Sequence, residues 1–262
     1  METPEPRSIL VGAGGSAREI ALLVRQGSEP GLFWLGGFRS DMGGTKAVAL
    51  DAFAAGRGLA MTRFDYSGHG RSGGRFEDGT ISRWLEEAEA AFATTAGRQV
   101  VIGSSMGGWL ALLLAEAQRR EAGEGRSRIA GLVLIAPAID MTKTLILDKM
   151  SAKVRKALQK DGVYLAESPY SEAPYPITSK LVEDGERHLV GERLIETGCP
   201  VHILQGVRDA EVPWRIATGL VSRLASDDVV VTLVKDGDHR LSRPEDLERL
   251  IAAVDGIVAE AG

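Results

Sequence analysis

Short apolar runs alternate along the chain with longer stretches in which apolar positions recur every three or four residues. The runs at residues 32–35, 59–64, 99–103, 129–136, 201–205 and 229–234 predict strands. The periodic stretches at 45–55, 80–94, 106–120, 214–225 and 244–259 predict amphipathic helices, the last opened by Pro244 behind Ser242. Strand and helix in alternation is the signature of an α/β fold, with a mostly parallel central sheet and helices on both faces. Two segments depart from it. Residues 8–26 read as an irregular pair of strands around Gly12-Ala13-Gly14-Gly15-Ser16. Residues 139–197 carry a helical stripe, Leu147, Met150, Val154 and Leu158, and then the cluster Pro169-Tyr170 and Pro174-Tyr175-Pro176.

An irregular segment of that length between two core strands is expected to be a functional insertion. The expected organisation is therefore one domain, residues 1–262, with residues 139–197 roofing a pocket as a lid whose Leu147, Met150, Val154 and Tyr170 face an apolar ligand.

Composition narrows the class. The chain has 262 residues, 44% of them hydrophobic and 26% charged, enough for a sizeable core. A net charge of −5 and the lack of a basic tract interleaved with aromatics argue against nucleic acid. The single Cys199 excludes an intrachain disulfide, and its place before Pro200 at the start of a strand suits a small buried thiol. No apolar stretch is long enough to span a membrane, and the N-terminus lacks the basic-then-apolar order of a signal peptide, so a cytoplasmic protein is expected.

The chemistry is concentrated at Gly103-Ser104-Ser105-Met106-Gly107, which lies between the apolar run Val100-Val101-Ile102 and a long helical pattern. This is G-x-S-x-G in a strand, turn and helix context, where the turn strains the serine backbone and lifts its hydroxyl above the sheet. A serine hydroxyl is a weak nucleophile at neutral pH and needs a base, which in turn needs an orienting carboxylate. Of four histidines, His202 lies inside a strand and reads as core, and His188 lies among charged neighbours and reads as solvated. His69 falls in the turn Gly68-His69-Gly70, ahead of the serine. His239, just after the last strand, alone satisfies the order serine, acid, histidine, with His69 its rival. The acid should follow a strand near that of the serine, and Asp209, between the strand at 201–205 and Val212-Pro213-Trp214, fits. A helix cap is the other reading of Asp209. Acyl transfer builds negative charge on the carbonyl oxygen, and the backbone N–H groups of Met106 and Phe38, the latter in Gly36-Gly37-Phe38, are the expected donors to it.

Taken together, Met42-Gly43-Gly44-Thr45-Lys46-Ala47, Arg63-Phe64-Asp65-Tyr66-Ser67-Gly68, the Ser105 turn through Leu110, Val212-Pro213-Trp214 and Asp238-His239-Arg240 resemble serine hydrolases of the α/β-hydrolase superfamily. Within it they resemble the palmitoyl-protein thioesterase and mycophenolic-acid acyl-glucuronide esterase family. That resemblance implies Ser105, Asp209 and His239 as the triad, hydrolysis of carboxylic esters and thioesters, and no cofactor. The chain departs from the family at Gly36, where many relatives carry proline or histidine, and in a compact N-terminus without a mitochondrial-type presequence.

Gly12-Ala13-Gly14-Gly15-Ser16-Ala17 lacks the last glycine and the acidic residue of a dinucleotide site, and residues 65–72 lack a metal ligand set, so no cofactor and no metal are expected. The expected partner is a small acyl ester or thioester, or an acylated protein, and Lys143, Lys149 and Arg240 are candidates to meet a polar leaving group. A C–C bond hydrolase or acyltransferase on the same triad, and a ligand-sensing protein that keeps the fold, are the alternatives.

Overall fold

A computed structural model describes residues 4–123, 127–168, 171–225 and 228–261. In chain order it contains β1 (Glu5–Val11), β2 (Arg18–Arg25), β3 (Ser28–Leu35), α1 (Thr45–Arg57), β4 (Leu59–Phe64), α2 (Ile81–Ala93), β5 (Gln99–Ser104), α3 (Met106–Ala122) and β6 (Ile129–Ile135). There follow α4 (Ala152–Asp161), β7 (Val163–Ser168), β8 (Ser171–Thr178), α5 (Ser179–Gly185), β9 (Val201–Gly206), α6 (Trp214–Val221), β10 (Val229–Val234) and α7 (Pro244–Ala261). Eight strands form one sheet in the order β1-β2-β4-β3-β5-β6-β9-β10. The β1–β2 and β2–β4 pairs are antiparallel and every later pair is parallel.

The sheet divides the core in two. On one face Val101, Leu132 and Ile203 pack with Trp84, Phe92, Leu110, Leu114 and Leu220 from α2, α3 and α6. On the other, Val100, Ile102 and Val133 pack with Leu50, Ala54, Leu250 and Val254 from α1 and α7. Neighbouring residues of β5 thus bury side chains on opposite faces, which is why a parallel strand reads as a continuous apolar run.

Every expected core strand and helix is present, with ends that differ for identifiable reasons. β3 starts at Ser28, four residues ahead of the apolar run, although Glu29-Pro30-Gly31 looks like a turn. The register against β4 shifts between Ser28 and Leu32, and Ser28 N and Gly31 N donate to Gly58 O and Arg98 O at 2.8 and 2.9 Å, so the irregular stretch still pairs. α6 stops at Val221 because Leu224 forms a bridge with Ile195. The glycine-rich stretch after β1 is a 3-10 turn, Gly14–Ser16, inside an antiparallel hairpin at the sheet edge, which has no helix for a phosphate to cap.

Residues 139–197 leave the sheet after β6 and return before β9. They form a π-helical turn (Thr142–Leu147), α4, the antiparallel pair β7–β8 and α5. The hairpin was not expected, because Pro174 and Pro176 argue against a strand; in a two-stranded ribbon each strand has an unpaired side, where a missing N–H is tolerated. The segment is pinned at its base, where Asp140 Oδ1 and Oδ2 accept from the N–H groups of Val190 and Gly191 at 2.7 and 2.9 Å. α5 is pinned as well, since Asp184 accepts from Ser82 N and Ser82 Oγ on α2, both at 2.7 Å.

Candidate active site

The carboxyl ends of β3, β5, β9 and β10 meet at one edge of the sheet, and the candidate residues lie on the loops that leave them. Ser105 follows β5 directly, with φ 54° and ψ −117°, and α3 begins at the next residue. A non-glycine residue at positive φ is strained and persists only where its surroundings hold it. Here a side chain at Gly103 would meet Gly107 O at 2.3 Å and one at Gly107 would meet Leu35 O at 2.1 Å, so only glycine lets α3 close onto β5 and β3. Ser105 N donates to Ile135 O at 2.8 Å, completing the hold.

The structure brings Ser105, His239 and Asp209 together. Ser105 Oγ lies 3.0 Å from His239 Nε2, and His239 Nδ1 lies 2.8 Å from Asp209 Oδ2. A carboxylate only accepts, so Nδ1 carries the proton and Nε2 presents its lone pair to the serine hydroxyl. Asp209 is buried and held from three more sides: Oδ1 accepts from Glu211 N and Val212 N at 2.9 and 2.8 Å, and Oδ2 accepts from Gln205 Nε2 at 3.0 Å. The cap-like bonds to Glu211 and Val212 show that the two sequence readings of Asp209 coexist, since one oxygen orders the loop and the other faces the imidazole.

Met106 is the first residue of α3, so its N–H has no partner within the helix. Across the site, a side chain at Gly37 would stand 3.4 Å from Ser105 Cβ, which places the Gly37–Phe38 peptide beside the serine. The carbonyl of that peptide accepts from Ser40 N and Ser40 Oγ at 3.1 and 2.8 Å. Because a trans peptide is planar, anchoring Gly37 O on one side turns the Phe38 N–H to the other.

The remaining histidines are engaged elsewhere. His69 is buried, its Nε2 accepts from Arg39 N at 3.1 Å, and its Nδ1 lies 3.1 Å from Ser67 O. Burial pushes its pKa down to about 4. His188 is not solvated, as its neighbours suggested; its Nε2 lies 2.7 Å from Ser82 Oγ, and burial lowers its pKa. The α5 contacts fold it against α2, a tertiary pairing its local sequence does not signal. His202 is half-buried in β9, 2.9 Å from Thr232 Oγ1.

Sequence reasoning missed three groups around the site. Glu211 Oε2 stands 3.9 Å from His239 Nε2, and its position two residues after Asp209 was the available signal. Lys46 Nζ donates to Arg240 O, joining the Gly-Thr-Lys and Asp-His-Arg segments across 194 residues. Burial, with Arg240 adding to it, lowers the Lys46 pKa to about 8. Gln205, which fixes Asp209, reads in sequence only as the end of a strand. Of the basic candidates, Lys149 Nζ donates to Glu211 O at 3.1 Å, and Lys143 is exposed.

A third apolar cluster joins the insertion to the Phe38 loop. Leu158, Ile177 and Val182 form its centre, and Phe38, Ile146, Leu147, Met150, Tyr164 and Tyr175 pack against it. Leu147 and Met150 are thus part of this cluster. Val154 sits half-buried in the first turn of α4, where its N–H donates to the capping Ser151 Oγ, and is not among the residues of this cluster. Tyr170 lies outside the described residues. Tyr175, which was not selected, packs its ring 5.9 Å from that of Phe38, with the Arg39 guanidinium 5.0 Å over its own face. Cys199 is buried, as expected. Among the described residues no group of histidine, cysteine and carboxylate side chains could hold a metal ion, and no helix is long and apolar enough to cross a membrane.

A mostly parallel eight-stranded sheet with helices on both faces, and a serine at a strained strand-to-helix turn, define an α/β-hydrolase fold, and this chain is a hydrolase of that fold. It belongs to the family described as serine aminopeptidase, S33, whose model matches residues 32–172. It is similar to the mitochondrial palmitoyl-protein thioesterase ABHD10 of Bos taurus, 33% identical over 235 residues that cover 89% of this chain and 74% of the relative. Among solved structures, a protein from Agrobacterium vitis S4 is 47% identical with a TM-score of 0.93, over 98% of this chain and 100% of the other. The mouse alpha/beta hydrolase domain-containing protein 10 is 30% identical with a TM-score of 0.87, over the same shares.

Proposed function

We propose that this protein is a serine hydrolase that cleaves acyl esters and thioesters through an acyl-enzyme on Ser105. The observation that carries this reading is the unbroken run of hydrogen bonds from Ser105 Oγ through His239 to Asp209. Ser105 Oγ attacks the acyl carbonyl as His239 Nε2 takes its proton, and the carbonyl oxygen becomes the oxyanion of a tetrahedral intermediate. The N–H groups of Phe38 and Met106 receive that charge; one such donor is worth on the order of 10² to 10³ in rate. The intermediate collapses, the C–O or C–S bond to the leaving group breaks, and His239 returns the proton to the departing alcohol or thiol. Water, deprotonated by His239, then attacks the acyl-enzyme, releases the carboxylic acid and restores Ser105. Asp209 holds the imidazole in the required tautomer throughout.

The acyl half is assigned to the apolar cluster of Leu147, Met150, Tyr164 and Tyr175, which makes residues 139–197 a lid over Ser105. The thioesterase relatives support a thioester among the substrates, whether on a small molecule or on an acylated protein. A fluorophosphonate probe should label the wild-type protein and not Ser105→Ala. In a series of p-nitrophenyl esters and acyl thioesters of two to sixteen carbons, kcat/KM should climb with chain length and then level off. Each methylene buried contributes about 0.8 kcal/mol, close to fourfold. Labelling that survives in Ser105→Ala overturns the nucleophile, and a profile flat in chain length overturns the acyl pocket.

A further inference from the structure

The loop from Asp65 to Ser72 supplies none of the reacting groups, yet it grips the oxyanion loop at two points. Asp65 Oδ1 accepts from Met42 N at 2.6 Å, while Arg63 Nη1 donates to Met42 O at 2.8 Å. Nearer the serine, Arg39 N donates to His69 Nε2 at 3.1 Å. Arg39 has φ 60°, a conformation that strains a side-chain-bearing residue and must be imposed from outside. It directly follows Phe38. With Ser40 holding Gly37 O and His69 holding Arg39 N, the peptide on each side of the Phe38 Cα has a fixed orientation. Release of either leaves the Phe38 N–H free to turn away from Ser105.

His69 is built for this task rather than for proton transfer. Ser67 O, which also accepts from Trp84 Nε1 at 3.2 Å, can only receive a proton from Nδ1, so Nε2 keeps its lone pair for Arg39. The rings of Tyr66, Phe76 and Trp84 stand 5.8, 5.2 and 5.4 Å from the imidazole. The charged group facing it is the Arg39 guanidinium, which also disfavours imidazolium. We propose that His69 is a positioning residue that, as a neutral hydrogen-bond acceptor, holds Arg39 and through it aims the Phe38 N–H at the oxyanion. The inference rests on the acyl-enzyme reading above.

The test compares His69→Phe, His69→Gln and His69→Asn in the whole chain. Phenylalanine keeps a ring among the aromatics and deletes the acceptor, glutamine can carry an amide oxygen to the position of Nε2, and asparagine is too short. For a p-nitrophenyl ester, His69→Phe should lose about 10- to 100-fold in kcat, less than deletion of an oxyanion donor, with KM within about twofold. Affinity for an arylboronic acid, which mimics the tetrahedral intermediate, should fall in the same proportion. His69→Gln should recover most of both losses and His69→Asn should not, a contrast that stands even if the phenylalanine variant fails to fold. A kcat within threefold of wild type in His69→Phe or His69→Asn overturns the role, as does a loss in the glutamine variant equal to that in the asparagine variant. Absence of Ser105-dependent turnover in the wild-type protein overturns the acyl-enzyme reading and this inference with it, whereas wild-type turnover that the variants leave intact overturns His69 alone.

Discussion

Asp209→Asn changes one oxygen to an NH2 group, and the surroundings of Asp209 decide which one. Oδ1 receives two backbone donors, Glu211 N and Val212 N, that cannot become acceptors. The amide oxygen of asparagine must occupy that position, which turns the NH2 toward His239 Nδ1 and Gln205. Gln205 can respond by rotating its amide, since its buried Oε1 has no hydrogen-bond partner among the described residues, at the expense of the bonds from its Nε2 to Gly206 O and Val212 O. His239 can respond only by shifting its proton from Nδ1 to Nε2. It then faces Ser105 Oγ with a donor and can no longer take the serine proton. A triad serine hydrolase with this substitution loses about 10⁴ in kcat, equivalent to about 5 kcal/mol of transition-state stabilisation. The expected result is a loss of that size for a p-nitrophenyl ester, with labelling by a fluorophosphonate slowed in parallel. KM and the melting temperature should stay near wild type, because the loop-ordering bonds at Oδ1 persist. An Asp209→Asn protein that keeps its melting temperature and loses less than 100-fold in kcat would refute the argument.

Leu147→Ala and Met150→Ala should shift the chain-length optimum and lower kcat/KM for long acyl groups by about tenfold, with little effect on acetyl esters; equal losses on both would remove these residues from the pocket. Glu87→Ala should cost about 3 kcal/mol, since the buried Arg18 keeps Glu86 at 2.6 Å but loses its 2.5 Å bond to Glu87, and Ser67 N loses its 2.8 Å acceptor. For a chain of this size that is a fall of about 10 °C in melting temperature by scanning calorimetry, and a fall under 3 °C would contradict the pairing. Lys46→Met should lower kcat about tenfold by loosening the loop that carries His239. Because burial depresses the Lys46 pKa to about 8, the unfolded chain binds the extra proton between pH 8 and its ordinary 10.5, so folding gains stability as pH rises through that window. Relative to the methionine variant, the wild-type melting temperature should therefore climb from pH 8 to pH 10, and parallel curves would refute the burial of Lys46.

The three residues of the proposed triad were legible because each is fixed by local rules. A strand-to-helix turn needs small residues around Ser105, and Asp209 and His239 follow strands in the only order four histidines and this topology allow. Their supports were not legible, because each depends on two loops folding onto one another. His69 looked like a second candidate base until Arg39 was found against its Nε2. Lys46 and Arg240 belong to separate motifs until Lys46 Nζ reaches the Arg240 carbonyl. The insertion was hardest to read, since its prolines suppress the strand signal of β8 and its α5 is held by Ser82, some hundred residues upstream.

This difference in legibility follows from how the molecule is held together. The loops after β3, β5, β9 and β10 are each locked by groups with little solvent exposure, Asp65 and His69 for the first, Gly103 and Gly107 for the second, Gln205 for the third and Lys46 for the fourth. The outer part of the insertion, α4 with β7 and β8, packs against Phe38 through apolar contacts, and Lys149, just ahead of α4, reaches a backbone carbonyl of the Asp209 loop, a bond that does not depend on the Glu211 side chain. Apolar packing of that kind tolerates exchange of one hydrophobic side chain for another at modest cost, whereas a buried polar lock does not. Substitutions in the insertion can therefore alter which acyl group fits while Ser105, His239 and Asp209 keep their spacing. On the proposed reading, chemistry and acyl selection are largely separable in this protein, and they meet at Phe38, whose backbone faces the oxyanion and whose ring forms part of the acyl surface.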